Sequence, residues 1–120
     1  MNKIQRPSVA GMFYPADPGQ LGAEINELLR EAGTNGGACP KALIAPHAGY
    51  VYSGPVAASA YVRLLPQAKT ISRVLVLAPS HRVPFSGLAT SSADFFNTPL
   101  GDVAVDRVAV EQALELPQVQ

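Results

Sequence analysis

Lys41-Ala42-Leu43-Ile44-Ala45-Pro46-His47 and Arg73-Val74-Leu75-Val76-Leu77-Ala78-Pro79-Ser80-His81 carry the decision on fold in this chain. Each is a short apolar run closed by proline, the pattern of a buried strand, and each delivers a histidine just beyond its end. They are the only two histidines present. Between the runs, Ser53 reads as an N-cap and Pro55 as a first helical residue, with Val56, Ala60, Tyr61, Leu64 and Leu65 behind them and Pro66 as a stop. Strand, helix and strand over about 40 residues predict a βαβ unit with a right-handed crossover. Functional groups of a parallel sheet gather at the carboxyl ends of its strands, so His47 and His81 are predicted to share one edge.

Working outward, Asp17 and Pro18 open a helix whose apolar positions Leu21, Ile25, Leu28, Leu29 and Ala32 recur at helical spacing until Gly33. Thr34-Asn35-Gly36-Gly37 reads as a loop. Further on, Gly87 to Ser91 is expected as a strand and Asp94 to Pro99 as a loop. Val103 to Val105 is expected as a short strand, and Asp106 as the cap of a helix from Arg107 to Leu116. The prediction is an α/β chain, residues 1–120 forming a mainly parallel, βαβ-based sheet flanked by helices.

Composition narrows the function classes. Hydrophobic residues make up 48% and charged residues 15%, enough apolar material for a core and the wrong balance for disorder. Nine basic residues offset nine acidic ones, so there is no basic stripe for nucleic acid. Cys39 is the single cysteine, which removes any disulfide within the chain and fits a reducing compartment. No apolar run approaches the ~18 residues of a membrane span, so a cytoplasmic protein that does not engage the membrane is the expectation.

The densest motif is Pro46-His47-Ala48-Gly49-Tyr50-Val51-Tyr52-Ser53-Gly54-Pro55. It sets a histidine, two tyrosines and two glycines between a predicted strand and a predicted helix, where helix amides favour a carboxylate or phosphate. The spacing matches neither G-x-G-x-x-G nor a P-loop, so no nucleotide is assigned. The plain structural alternative is a tight turn with tyrosines covering the core. Imidazole is a common ligand for zinc, iron and copper, but two donors do not complete a site. Cys39 is a poor third donor, because eight extended residues hold it roughly 26 Å from His47. Asp94, Asp102 and Asp106 are carboxylates that later loops could supply.

Four motifs in order resemble the Memo family, whose bacterial and archaeal members are called AmmeMemoRadiSam system protein B. They are Arg6-Pro7 with Ala10-Gly11-Met12-Phe13-Tyr14-Pro15, Pro46 to Gly54, Leu77-Ala78-Pro79-Ser80-His81-Arg82-Val83, and Thr98-Pro99-Leu100-Gly101. The resemblance implies a fold related to class III extradiol dioxygenases with a metal pocket at the sheet edge. It implies iron or copper on His47 and His81, proton transfer by Tyr52, and a substrate pocket walled by Phe13, Tyr50 and Tyr52. Phe13 stands where animal members have tryptophan. The family's third ligand, a cysteine, and the aspartate and histidine that complete its pocket lie in a carboxyl-terminal half with no counterpart here. Family members run to more than twice this length, so the chain reads as an amino-terminal portion, incomplete at the C-terminal side and inactive alone.

Two function classes follow from the resemblance. One is a metal-dependent, dioxygenase-like oxidoreductase. The other is a non-catalytic adaptor that binds phosphotyrosine or another anionic ligand in the same pocket. The family name implies a radical S-adenosylmethionine protein and an AMMECR-type domain as partners; with one cysteine, this chain would not be the radical-generating member.

Overall fold

A computed structural model describes residues 1–33 and 37–120. The Thr34-to-Gly36 part of the expected loop lies outside the described residues. The order of elements is β1 (Ile4–Gln5), α1 (Pro18–Ala32), α2 (Tyr50–Tyr61), a 3-10 turn (Val62–Gln67), β2 (Phe95–Thr98), β3 (Gly101–Ala104) and α3 (Arg107–Leu114). The chain is α/β and divides into two compact units. One comprises Met1–Arg6, Arg73–Asn97 and Asp102–Gln120; the other comprises Pro7–Ser72 and Thr98–Gly101.

Within the second unit, α1 forms as its sequence requires. Asp17 accepts a hydrogen bond from the Gln20 amide at 2.8 Å, Pro18 takes the first turn, and Gly33 closes the helix with its amide on the Arg30 carbonyl at 3.2 Å. α1 packs on α2. Leu21 of α1, Ala58 of α2 and Val62 are the best buried apolar residues of this unit, at 3, 5 and 3% exposure. Gly54 makes the close approach possible, since a Cβ there would sit 3.1 Å from Leu28 Cδ1.

α2 starts earlier than the sequence pattern predicts. Gly49, not Ser53, is its N-cap residue, and Pro55 lies inside the helix. Ser53 is buried instead and donates its hydroxyl to the Ala48 carbonyl at 2.8 Å. A hydroxyl can serve a helix from within its first turns by bonding backward, and capping statistics do not register that use.

The other unit holds a three-stranded mixed sheet in the order β1-β2-β3. β1 runs parallel to β2, with Ile4 opposite Phe95 and Gln5 opposite Phe96, and a two-residue turn returns β2 into β3. Asp94 secures the entry: its carboxylate accepts from the Lys3 amide at 2.7 Å, and its own amide donates to the Lys3 carbonyl at 2.8 Å. Asp106 caps α3 by accepting from the Ala109 amide at 3.0 Å, as expected, though α3 ends at Leu114 rather than Leu116.

Several strand placements need correction. Lys41 to Ala45 and Arg73 to Ala78 are not strands, so the βαβ pairing expected between them is not formed, although its intervening helix is. Ile44 is fully exposed, and Val74, Leu75, Val76 and Leu77 are 72 to 84% exposed. An apolar run records a tendency to be buried, but a strand exists only when a neighbouring backbone completes its ladder. The expected loop Asp94 to Pro99 instead contains β2, and the short strand falls at Gly101–Ala104. Gly87 to Ser91 contributes one isolated parallel bridge, Leu88 to Val119. The Leu88 amide donates to the Gln118 carbonyl and the Gln120 amide to the Leu88 carbonyl, both at 2.8 Å.

Candidate functional site

One concave site lies within Pro7–Ser72. It has a volume of about 480 Å3, inside the ~300–1,000 Å3 range of small-molecule pockets. Phe13, Tyr14, Tyr50 and Tyr61 supply aromatic wall, Ile25, Leu28 and Leu29 of α1 supply an aliphatic wall, and His47 sits beside Pro46 and Ala48. The α2 lining residues Tyr50, Ser53, Gly54, Ala57, Ala58 and Tyr61 are spaced i, i+3, i+4, i+7, i+8 and i+11. That is one helix face.

The loop that carries Phe13 is pinned to the start of α2. Met12 and Phe13 donate their amides to the Val9 carbonyl at 3.0 and 2.9 Å, and the Phe13 carbonyl accepts from the Tyr50 amide at 2.8 Å. Gly49 keeps this approach uncrowded, since a Cβ there would reach the Phe13 backbone at 3.4 Å, the near edge of ordinary contact. Tyr14 and Tyr50 then stack at a tilt of 43°, with centroids 5.7 Å apart. Partial burial, with smaller contributions from Tyr14, Glu24 and Tyr61, pushes the Tyr50 phenol up from its ordinary pKa and keeps it a neutral hydrogen-bonding group well into the alkaline range.

Of the expected site residues, Phe13, Tyr50 and His47 line this cavity. Tyr52 does not: the residue is 84% exposed and lies outside the lining. The motif reads as a loop in sequence, but its tyrosines stand on a helix. Two residues of helix turn through about 200°, so Tyr50 and Tyr52 face opposite ways. His81 is exposed and belongs to the other unit, in the turn where the Ser80 hydroxyl donates to the Val83 carbonyl at 2.7 Å. Sequence reasoning missed Tyr14 and Tyr61 as pocket residues. The i+11 relation of Tyr61 to Tyr50 was the available signal, hidden by starting the helix at Pro55.

Among the described residues, no three His, Cys, Asp or Glu side chains come together as a group able to hold a metal ion. The three candidate carboxylates have structural partners. Asp94 holds the Lys3 amide, Asp102 accepts from Asn97 Nδ2 at 2.6 Å, and Asp106 caps α3 while pairing with Arg73 Nε at 2.6 Å. Cys39 is half-buried, its sulfur 3.8 Å from the Pro40 carbonyl oxygen. No described helix is long and apolar enough to cross a membrane.

The family model described as Memo-like protein matches residues 5–120. The chain belongs to the Memo-like family. A MEMO1 family protein of Methanopyrus kandleri is 44% identical, the alignment covering 83% of this chain and 38% of that protein. Protein MEMO1 of Danio rerio is 43% identical over 83% of this chain and 33% of its own length. A MEMO1 family protein of Methanocaldococcus jannaschii is 38% identical over 93% and 42%. The chain therefore spans about a third to two fifths of the length of these relatives.

Proposed function

We propose that this chain carries a ligand-binding pocket of a Memo-like protein, formed by the inward face of α2, the aliphatic side of α1 and the Phe13 loop. The observation that carries the reading is the convergence of Phe13, Tyr14, Tyr50, Tyr61 and His47 on one cavity of ligand size. The aromatic faces would hold a flat group, while His47 and the tyrosine hydroxyls would orient its polar atoms. A fragment screen by protein-detected NMR tests this. Hits should shift the amides of Gly54 and Ala58 and vanish in Tyr50→Ala; a screen whose hits leave those amides unmoved would contradict it.

Iron or copper on His47 and His81, serving an oxidoreductase of the dioxygenase-like kind, is the second proposal, and it rests on the family resemblance. The described residues alone do not fit such a centre, since no three donor side chains assemble among them. No reaction step is derived through a metal. Metal analysis after anaerobic reconstitution with iron(II) or copper(I) separates the proposals: stoichiometric retention lost in both His47→Ala and His81→Ala supports the centre, and no retention refutes it for this chain.

The remaining roles proposed by family analogy are a place in the AmmeMemoRadiSam system beside a radical S-adenosylmethionine protein and an AMMECR-type domain, a cytoplasmic setting, and activity that needs more chain than these residues. Co-purification with tagged candidates from cell extract tests the partnership.

A further inference from the structure

Val74, Leu75, Val76 and Leu77 are four consecutive apolar residues, two of them β-branched, and each is 72 to 84% exposed. Among the described residues, no hydrogen bond is made by the backbone of Val74 to Ala78. Bare apolar side chains beside unpaired amides and carbonyls form a template for strand addition, because one new ladder satisfies the backbone and brings cover to the side chains. Charge and symmetry decide which strand adds. Nine basic and nine acidic residues leave the chain without net charge, so two copies approach without mutual repulsion. Set antiparallel to itself, the run places Val74 opposite Leu77, Leu75 opposite Val76 and Arg73 opposite Ala78, so every apolar residue meets an apolar partner. A parallel, in-register pair would instead set Arg73 against Arg73, and like charges directly opposite are unfavourable. Arg73 already pairs with Asp106 of its own copy, Nε to Oδ2 at 2.6 Å. Pro79 has no N–H to donate, and two-fold symmetry makes it the stop at both ends of the ladder.

We propose that Arg73 to Ala78 is a self-association strand, pairing antiparallel with the same run of a second copy across a two-fold axis. A contact that uses the same patch on both copies closes at two. Six residues a side make a small interface, so the dissociation constant is expected on the order of 100 µM. In dilute solution the run stays bare, and the dimer forms on concentration.

Sedimentation equilibrium of the whole chain at about 10 µM and about 1 mM tests this, with mostly monomer expected at the lower concentration and mostly dimer at the higher. Val76→Pro, which removes a ladder donor at an exposed position, should stay monomeric at both while the amide spectrum of α1 and α2 is unchanged. Val76→Ile, which keeps the donor and the β-branched shape, should retain the dimer. Nuclear Overhauser contacts between labelled and unlabelled copies need no variant, and they should join Val74 of one copy to Leu77 of the other. A chain that is monomeric at the higher concentration overturns the proposal. A dimer that persists in Val76→Pro overturns the location, growth beyond two copies overturns the closed pairing, and contacts joining Val74 to Val74 overturn the antiparallel register.

Discussion

The helix pair α1 and α2 and the stretch Arg73 to Pro84 both carry apolar residues in regular patterns, yet they end differently. The helices bury Leu21 and Ala58 to 5% exposure or less, while Val74 to Leu77 stay at least 72% exposed. A helix satisfies its backbone within itself, so one packing partner is enough to turn an apolar face into a core. A strand needs a bonded neighbour before its side chains can be buried. The same amount of apolar sequence is therefore self-sufficient in one region and dependent in the other.

The strongest way to break this contrast is a pair of truncations. Leu21→Ala should cost about 2–5 kcal/mol, as buried leucines do. Val76→Ala should change stability by no more than about 0.5 kcal/mol, as exposed positions do. Chemical denaturation of both variants checks it, and equal losses would mean that Val76 is covered in solution.

Gly87 sharpens the comparison from within the second region. Its φ is +85°, and a Cβ there would lie 2.3 Å from the Gln118 carbonyl oxygen. Gly87→Ala should therefore cost about 1–3 kcal/mol through strain and displaced backbone. Hydrogen exchange at Leu88 and Gln120, which pair across this contact, should accelerate before that of α1.

The sequence was most legible where local chemistry alone determines the outcome. Asp17 and Asp106 cap the helices expected of them, and Gly33 ends α1, because capping depends on residues three positions apart. The strands were misplaced because pairing depends on distant backbone. β1 of two residues is held by a parallel partner some ninety positions on and has no periodicity to read. At the site, His47, Phe13 and Tyr50 were visible as motif residues and line the cavity, whereas Tyr52, expected in the pocket from the family resemblance, is exposed on a helix that starts just after Gly49 rather than at Pro55. A two-residue spacing means one face in a strand and opposite faces in a helix.

Asp106 offers the gentlest test. The Ala109 amide, assisted by Arg73, holds its carboxyl below the ordinary carboxylate range against the opposing effect of desolvation. A depressed folded-state value means stability that is present above the unfolded carboxylate's range and lost as pH falls through the folded value. The melting temperature of the chain should therefore drop on acidification, and the drop should be smaller in Asp106→Asn. An identical acid profile for the variant would show that the charge contributes nothing there.

The central claim is that α2 presents a ligand-binding face through Tyr50, Gly54 and Ala58 and turns Tyr52 and Val56 to solvent. Amide shift mapping with 4-methylphenol reads both faces in one experiment. The predicted result is saturable shifts at Tyr50, Gly54 and Ala58 with Tyr52 and Val56 unmoved; shifts confined to Tyr52 and Val56, or none on α2, would contradict it.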